Sequence, residues 1–322
     1  MRELFKNKRI VFFGDSITQN GGFCYNIRSY FRDNNIKTSV FNRGVGGTRA
    51  VMAKYMMEEE VFPLNPDVVF VSYGVNDIGI WLYDSLKPIT PELLEKRRIR
   101  DEEHFASMKF VLTKLKEKGI TPICQTPYAV DELLVEKEDI ETIADNKEKE
   151  DYIGPSFYKR KTFENINEGL KYYAETMKKI CAELGVEVLD TFTFTRELSH
   201  KEEGIFIDDG THYTEKGHYY IAKHMLEFMG VNEDIKEFKK YPDMDEAKKL
   251  EHIIREVMGS RRSTMLPESI WPKTTHEDIL NFYRKKENDK EYWNYANVKL
   301  ILDNYEKKDE LIQKEIDIMT SF

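Results

Sequence analysis

Arg9-Ile10-Val11-Phe12-Phe13-Gly14-Asp15-Ser16 places four apolar residues in a row ahead of a glycine, a carboxylate and a hydroxyl. A continuous apolar run, as opposed to an alternating one, suits a strand covered on both faces, the usual condition of a parallel sheet. The expected strand, 9–13, delivers Ser16 just past its carboxyl end. Further short β-branched or aromatic runs stand at 38–42, 67–73, 120–125 and 186–190, and helical patterns separate them at 22–34, 49–61, 101–118 and 158–184. The last two helical patterns stop at Lys118-Gly119 and Leu184-Gly185, as glycine-terminated helices do. A further helix is expected over 213–229. This alternation predicts a doubly wound α/β fold. Ligands of such sheets gather beyond the strand carboxyl ends, where Ser16, Gly44-Val45-Gly46-Gly47 and Gly74-Val75-Asn76-Asp77 all fall.

Composition narrows the function. With 322 residues and 40 % hydrophobic content, the chain can build one good core plus an appendage. A net charge of −9 argues against a nucleic-acid partner or an anionic membrane, both of which need concentrated Lys and Arg. The substrate is expected to be neutral or weakly charged. Cys24, Cys124 and Cys181 have neither an even count nor a C-x-x-C spacing, so a disulfide framework and a structural zinc are not expected. Met1 to Lys8 run straight into the first strand without an apolar leader, and no stretch is long enough to span a bilayer; a cytoplasmic location is expected.

Two segments depart from the βα rhythm. Residues 131–151 carry ten Asp and Glu against three Lys and read as a solvated surface excursion. From about residue 231 strand signals cease. Ala247, Leu250, Ile253, Ile254 and Val257 share one helical face in 243–258, and Trp293, Ala296, Leu300, Tyr305, Leu311, Ile312 and Ile316 recur at helical spacing in 288–319. The expected organisation is a catalytic domain over 1–230 and a helical extension over 231–322. The proline-extended loop Met265 to Pro272 is placed to cross the catalytic domain or a second copy. The extension is expected either to roof the pocket or to support a homo-oligomer.

A serine hydroxyl needs a base and an oxyanion site before it can act as a nucleophile. In Asp209-Gly210-Thr211-His212, the imidazole can take the Ser16 proton through one nitrogen while Asp209 holds the proton on the other. Donors for an oxyanion are the Ser16 backbone N–H, the Gly47 N–H and the Asn76 side-chain amide. Each block alone has an ordinary structural explanation. Gly-Asp-Ser can be a turn with a helix cap, Asp209-x-x-His212 an N-cap with a surface histidine, and Asn76-Asp77 a loop turn. The glycine loop lacks the full dinucleotide pattern, and His212, His218 and His224 are spaced to face different sides of a helix, so neither a phosphate cradle nor a metal site is expected.

In order, Gly14-Asp15-Ser16, the glycine of Asn42-Arg43-Gly44-Val45-Gly46-Gly47, Gly74-Val75-Asn76-Asp77 and Asp209-Gly210-Thr211-His212 resemble the four blocks of the SGNH, or GDSL-like, hydrolases over roughly residues 9–230. Isoleucine stands where the family name has leucine, a swap of similar volume. The resemblance implies a flavodoxin-like three-layer α/β/α sandwich with a five-stranded parallel sheet. It also implies Ser16 as nucleophile, Asp209 and His212 as its partners, and an oxyanion hole of Ser16, Gly47 and Asn76, with Gly46 competing for the glycine place. No metal or cofactor is called for. Members include carbohydrate acetylesterases, lipases, thioesterases, lysophospholipases and acyltransferases.

The loops around 17–24, 43–50 and 75–88 are glycine-rich and polar, which favours acetyl or another short acyl group on a carbohydrate or small metabolite over a long chain. Phe23, Trp81 and Tyr83 are candidate sugar-stacking rings or core residues. Arg43 and Arg49 flank the glycine loop and either meet substrate or anchor the loop by ion pairs. An acyltransferase, a lysophospholipase or thioesterase, and a non-catalytic binding module are the alternatives.

Overall fold

The computed structural model describes residues 1–83, 88–132, 165–241, 244–260 and 273–321. Five strands, β1 (Arg9–Gly14), β2 (Ser39–Gly44), β3 (Val68–Ser72), β4 (Thr121–Gln125) and β5 (Glu187–Leu189), form one parallel sheet in the order β2-β1-β3-β4-β5. This is the doubly wound order whose switch point lies between the first and third strands. The registers Gly14↔Gly44 and Gly14↔Ser72 bring the carboxyl ends of β1, β2 and β3 level with one another. The three loops that leave them therefore start from one place.

Alternation within each strand splits the core in two. Ile10 and Phe12 of β1 join Val68 and Phe70 of β3 on one face, packed under α2 (Gly22–Asp33) and α7 (Glu215–Phe228). Val11, Phe13, Val69 and Val71 face the other way, toward α3 (Ala50–Glu60) and α4 (Pro91–Glu117). Both faces are buried, which explains why the strands read as unbroken apolar runs. The long helix α5 (Ile166–Leu184) serves both layers, with Leu170 and Tyr173 in the first cluster and Met177 and Cys181 in the second.

The C-terminal residues fold as α8 (Met244–Met258), α9 (His276–Lys286), α10 (Tyr295–Asn304) and α11 (Lys308–Thr320). Ala247, Leu250, Ile254, Ile312, Ile316 and Met319 enter the same apolar cluster as the second sheet face. Two buried ion pairs reinforce the join: Arg28 of α2 donates to Glu251 of α8, and Arg43 of β2, fully enclosed, donates to both carboxylate oxygens of Glu315 of α11. The helices thereby cover the side of β2, which would otherwise be a bare sheet edge.

The helices differ from expectation at three places. The helix expected at 101–118 begins at Pro91, after Thr90, whose side chain caps Leu93 N–H. A helix not expected from the sequence, α6 (Thr191–Lys201), starts under Asp190, whose carboxylate accepts the Thr193 N–H at 3.2 Å. The single pattern at 288–319 is two helices, α10 and α11, parted by a tight turn at Tyr305–Lys307, and its first residues, Trp293 among them, lie in a turn ahead of α10. The acidic stretch from 133 onward, the first turns expected for 158–164 and the loop 265–272 lie outside the described residues.

Candidate active site

Ser16 is the first residue of a short helix, α1 (Ser16–Asn20), entered directly from β1. Asp15 caps that helix, its carboxylate accepting the Ile17 N–H at 3.0 Å, and the Ser16 N–H, in the first turn, has no partner within the helix. The turn demands glycine before it: a Cβ on Gly14 would lie 2.6 Å from the Ser72 carbonyl of the neighbouring strand.

From the opposite side of the chain comes a loop pinned by the bridge between Phe206 and Tyr213. Within it Asp209 accepts the backbone N–H groups of Thr211 and His212, both at 2.8 Å, and its other oxygen lies 2.5 Å from His212 Nδ1. The second ring nitrogen, Nε2, stands 2.8 Å from the Ser16 hydroxyl. The network assigns the tautomer: Nδ1–H donates to Asp209 and Nε2 accepts from Ser16. Burial tends to raise the Asp209 carboxyl, but the hydrogen bonds from the His212 ring, the His212 backbone and Thr211 outweigh it and hold the group below its ordinary value.

The glycine loop and the Asn76 loop close the site. Gly46 N–H donates to the Gln19 side-chain oxygen at 2.5 Å, so this donor is already engaged. Gly47 follows with φ +69°, the left-handed conformation for which glycine is suited. Asn76 donates one amide proton to the Thr48 carbonyl at 3.1 Å, which orients its NH2 group and leaves the second proton for a ligand. Behind it the buried Asp77 accepts the Ala50 N–H at 2.9 Å and stands 3.2 Å from His104 Nδ1, tying the two loops together. Burial would raise the Asp77 carboxyl, yet His104 and the Ala50 N–H reverse this and lower it. Asp15 has less help: burial, with the charge of Asp77 adding, lifts its carboxyl to about 7.

Ser16, Gly47, Asn76, Asp209 and His212 thus line one cleft of about 360 Å³. The profile of the GDSL-like lipase/acylhydrolase family matches residues 12–220, the span that carries all five. The chain belongs to that family. It is a carboxylic ester hydrolase with the five-stranded parallel fold seen in other members. No curated protein sequence matches it. Among solved structures, a gut microbial diltiazem-metabolizing enzyme superposes with a TM-score of 0.65 at 16 % identity, covering 99 % of this chain and 97 % of its own. Axe2, an acetylxylan esterase from Geobacillus stearothermophilus, gives 0.52 at 19 % identity, with coverage of 72 % and 98 %.

Several family-independent expectations are resolved by position. Arg43 and Arg49 anchor: Arg43 is sealed against Glu315, and Arg49 pairs with Glu103 at 3.1 Å. Phe23 is a core ring at right angles to Phe12, while Tyr83 lies under Arg97 and Trp81 under Arg100. None of the three lines the cleft. The cleft aromatic is Trp293, which arrives with Arg255, Glu256 and Asn297 from the C-terminal helices. Sequence spacing placed Trp293 on a helix face but held no signal for its reaching a serine far upstream.

Proposed function

We propose that this enzyme hydrolyses short-chain acyl esters, acetyl esters above all, of a carbohydrate or other small polar alcohol through an acyl-Ser16 intermediate. The observation that carries the reading is the unbroken chain Ser16 Oγ, His212 Nε2, His212 Nδ1, Asp209 Oδ2, with separations of 2.8 Å and 2.5 Å, opening onto a polar cleft. In the acetylxylan esterase of the same fold, replacements of a serine, an aspartate and a histidine by alanine are catalytic mutants. That aspartate precedes its histidine by three positions, as Asp209 precedes His212.

In the acylation half, Ser16 Oγ attacks the ester carbonyl carbon as its proton passes to His212 Nε2. The carbonyl oxygen, now negative, is met by the Ser16 and Gly47 N–H groups and the free amide proton of Asn76. Collapse of the tetrahedral intermediate breaks the bond to the alcohol oxygen, which takes the proton from His212 and leaves. Water then repeats the sequence. It gives a proton to Nε2 and adds to the acyl carbon, and the released Ser16 oxygen takes that proton back as the acid departs. Asp209 remains ionised throughout and favours the imidazolium at both stages.

Among the described residues, apolar side chains in the cleft are few, Val45 and Trp293 being the larger ones, whereas Gln19, Arg255, Glu256 and Asn297 add polar groups to the catalytic set. An acyl chain of eight carbons would have to lie against those polar groups, losing the burial that rewards lipases. A series of nitrophenyl esters from acetate to decanoate tests this. The highest kcat/KM should fall at two to four carbons, and a maximum at eight or more would favour a lysophospholipase or thioesterase.

A further inference from the structure

The cleft has two origins. Its reacting groups come from the loops after β1, β2 and β3, but Arg255, Glu256, Gly259, Trp293 and Asn297 come from α8, α10 and the turn before α10. Of these helices α8 is tied to α2 by the buried pair of Arg28 with Glu251, and α10 is joined to α8 by the Asn297 amide on Glu256, so the wall they build is fixed in place. Glu251 lies one helical turn before Arg255, on the same face of α8.

The wall has a definite chemistry. Trp293 is 53 % exposed, an unusual state for an indole, and it stands in the cleft. Arg255 is partly buried; its Nε is enclosed without an acceptor among the described residues, and one terminal nitrogen makes a 3.4 Å contact with the Gln19 carbonyl. A buried guanidinium donor with no acceptor is costly unless a ligand supplies one. Asn297 donates through its NH2 group to Glu256 at 3.0 Å and to Asn294 at 2.8 Å, which turns its carbonyl oxygen into the remaining acceptor. Among the described residues the wall therefore offers an aromatic face, donors from Arg255, an acceptor on Asn297, and opposite charges on Arg255 and Glu256 that cancel.

An alkyl chain finds no match there. A carboxylate would meet Arg255 but also Glu256. A ring bearing several hydroxyls, each both donor and acceptor, matches the whole set, with its C–H face on the indole. We propose that the C-terminal helices form the alcohol-side subsite of the cleft, Trp293 stacking on the ring of a neutral polyhydroxylated alcohol while Arg255 and Asn297 hydrogen-bond its free hydroxyls. This rests on the esterase reading of Ser16, and it makes Trp293 and Arg255 specificity residues supplied from outside the span matched by the family profile.

The test compares two acetyl esters in the full-length enzyme, a mono-acetylated methyl glycoside and ethyl acetate, whose leaving group has neither a ring to stack nor a further hydroxyl to bond. In Trp293→Ala and in Arg255→Gln, the ratio of kcat/KM for the glycoside to that for ethyl acetate should fall about tenfold, mostly through KM. Trp293→Phe, which keeps a stacking face, should recover most of the loss. A ratio within twofold of wild type in both Trp293→Ala and Arg255→Gln overturns the subsite. A loss confined to an acetylated uronate, with the neutral glycoside unaffected, overturns the neutral-ring assignment. If the wild-type enzyme releases acetate from neither ester and Ser16 resists a fluorophosphonate, it is the underlying esterase reading that fails.

Discussion

His212 Nε2 stands 2.8 Å from the Ser16 hydroxyl across 196 positions of sequence. Neither residue is held there by the other. Ser16 is fixed by the end of β1 and the cap of Asp15, and His212 by Asp209, which binds both its ring and its backbone N–H. The contact is therefore preorganised, and its loss should affect chemistry far more than folding. Ser16→Ala and His212→Ala should each lower kcat by about 10⁴–10⁶-fold while the melting temperature stays near wild type. Steady-state rates on nitrophenyl acetate beside a thermal melt check both halves of this expectation.

Asn76 has one amide proton committed to Thr48 and one left over. Asn76→Ala should lower kcat by about 10²–10³-fold with little change in KM, because the lost bond forms only as the oxyanion develops. Asn76→Asp should be at least as harmful, since it places a carboxylate where negative charge accumulates. A KM effect without a kcat effect would assign Asn76 to ground-state binding instead.

The Asp15 carboxyl, lifted by burial to about 7 from an ordinary 3.8, makes a prediction about stability with a definite sign. Below pH 3.8 the group is protonated in both folded and unfolded chains and costs nothing. Stability tied to it is lost as pH rises toward the folded value of about 7, and above that the folded protein carries a buried charge. Asp15→Asn keeps an oxygen for the Ile17 N–H and removes the charge. Its stability relative to wild type should grow between pH 5 and pH 8.5, by an amount on the order of 2 kcal/mol. Urea unfolding at the two pH values measures the difference directly, and a constant offset would contradict the buried-charge account.

Glu315 is the counter-charge of the fully enclosed Arg43. Glu315→Ala should destabilise the protein by about 3–5 kcal/mol, because it strands a buried cation. Replacing both partners with apolar residues of similar volume, Arg43→Met with Glu315→Leu, should recover most of that loss. For the same reason, truncation after residue 230 should yield protein that aggregates or fails to melt cooperatively, since Arg28 and Arg43 lose their carboxylates and the side of β2 its cover.

Much of this molecule is legible in one sequence because its strands are buried on both sides. Val11 and Phe13 serve one core and Ile10 and Phe12 the other, so the apolar run marks the strand and its end marks the site. The four polar blocks lie where short loops must begin; Gly47 takes a left-handed turn, and Gly14 and Gly44 leave room for the neighbouring backbone. Local pattern was silent where a cap decides the element. Thr191-Phe192-Thr193-Phe194-Thr195 alternates like a strand, yet Asp190 starts a helix there. Trp293 and Arg255 were illegible for a different reason. Their place in the cleft follows from how α8 and α11 pack on β2 and α10 on α8, a long-range arrangement that periodicity within each helix does not encode.

Reaction of the full-length enzyme with a fluorophosphonate, followed by intact-mass and peptide mapping, tests the central relationship most directly. The account predicts one adduct per chain, on Ser16, absent from Ser16→Ala and formed at least a hundredfold more slowly in His212→Ala, where the base is gone. An adduct on another residue, or hydrolysis of nitrophenyl acetate that survives in Ser16→Ala at the wild-type rate, would contradict it.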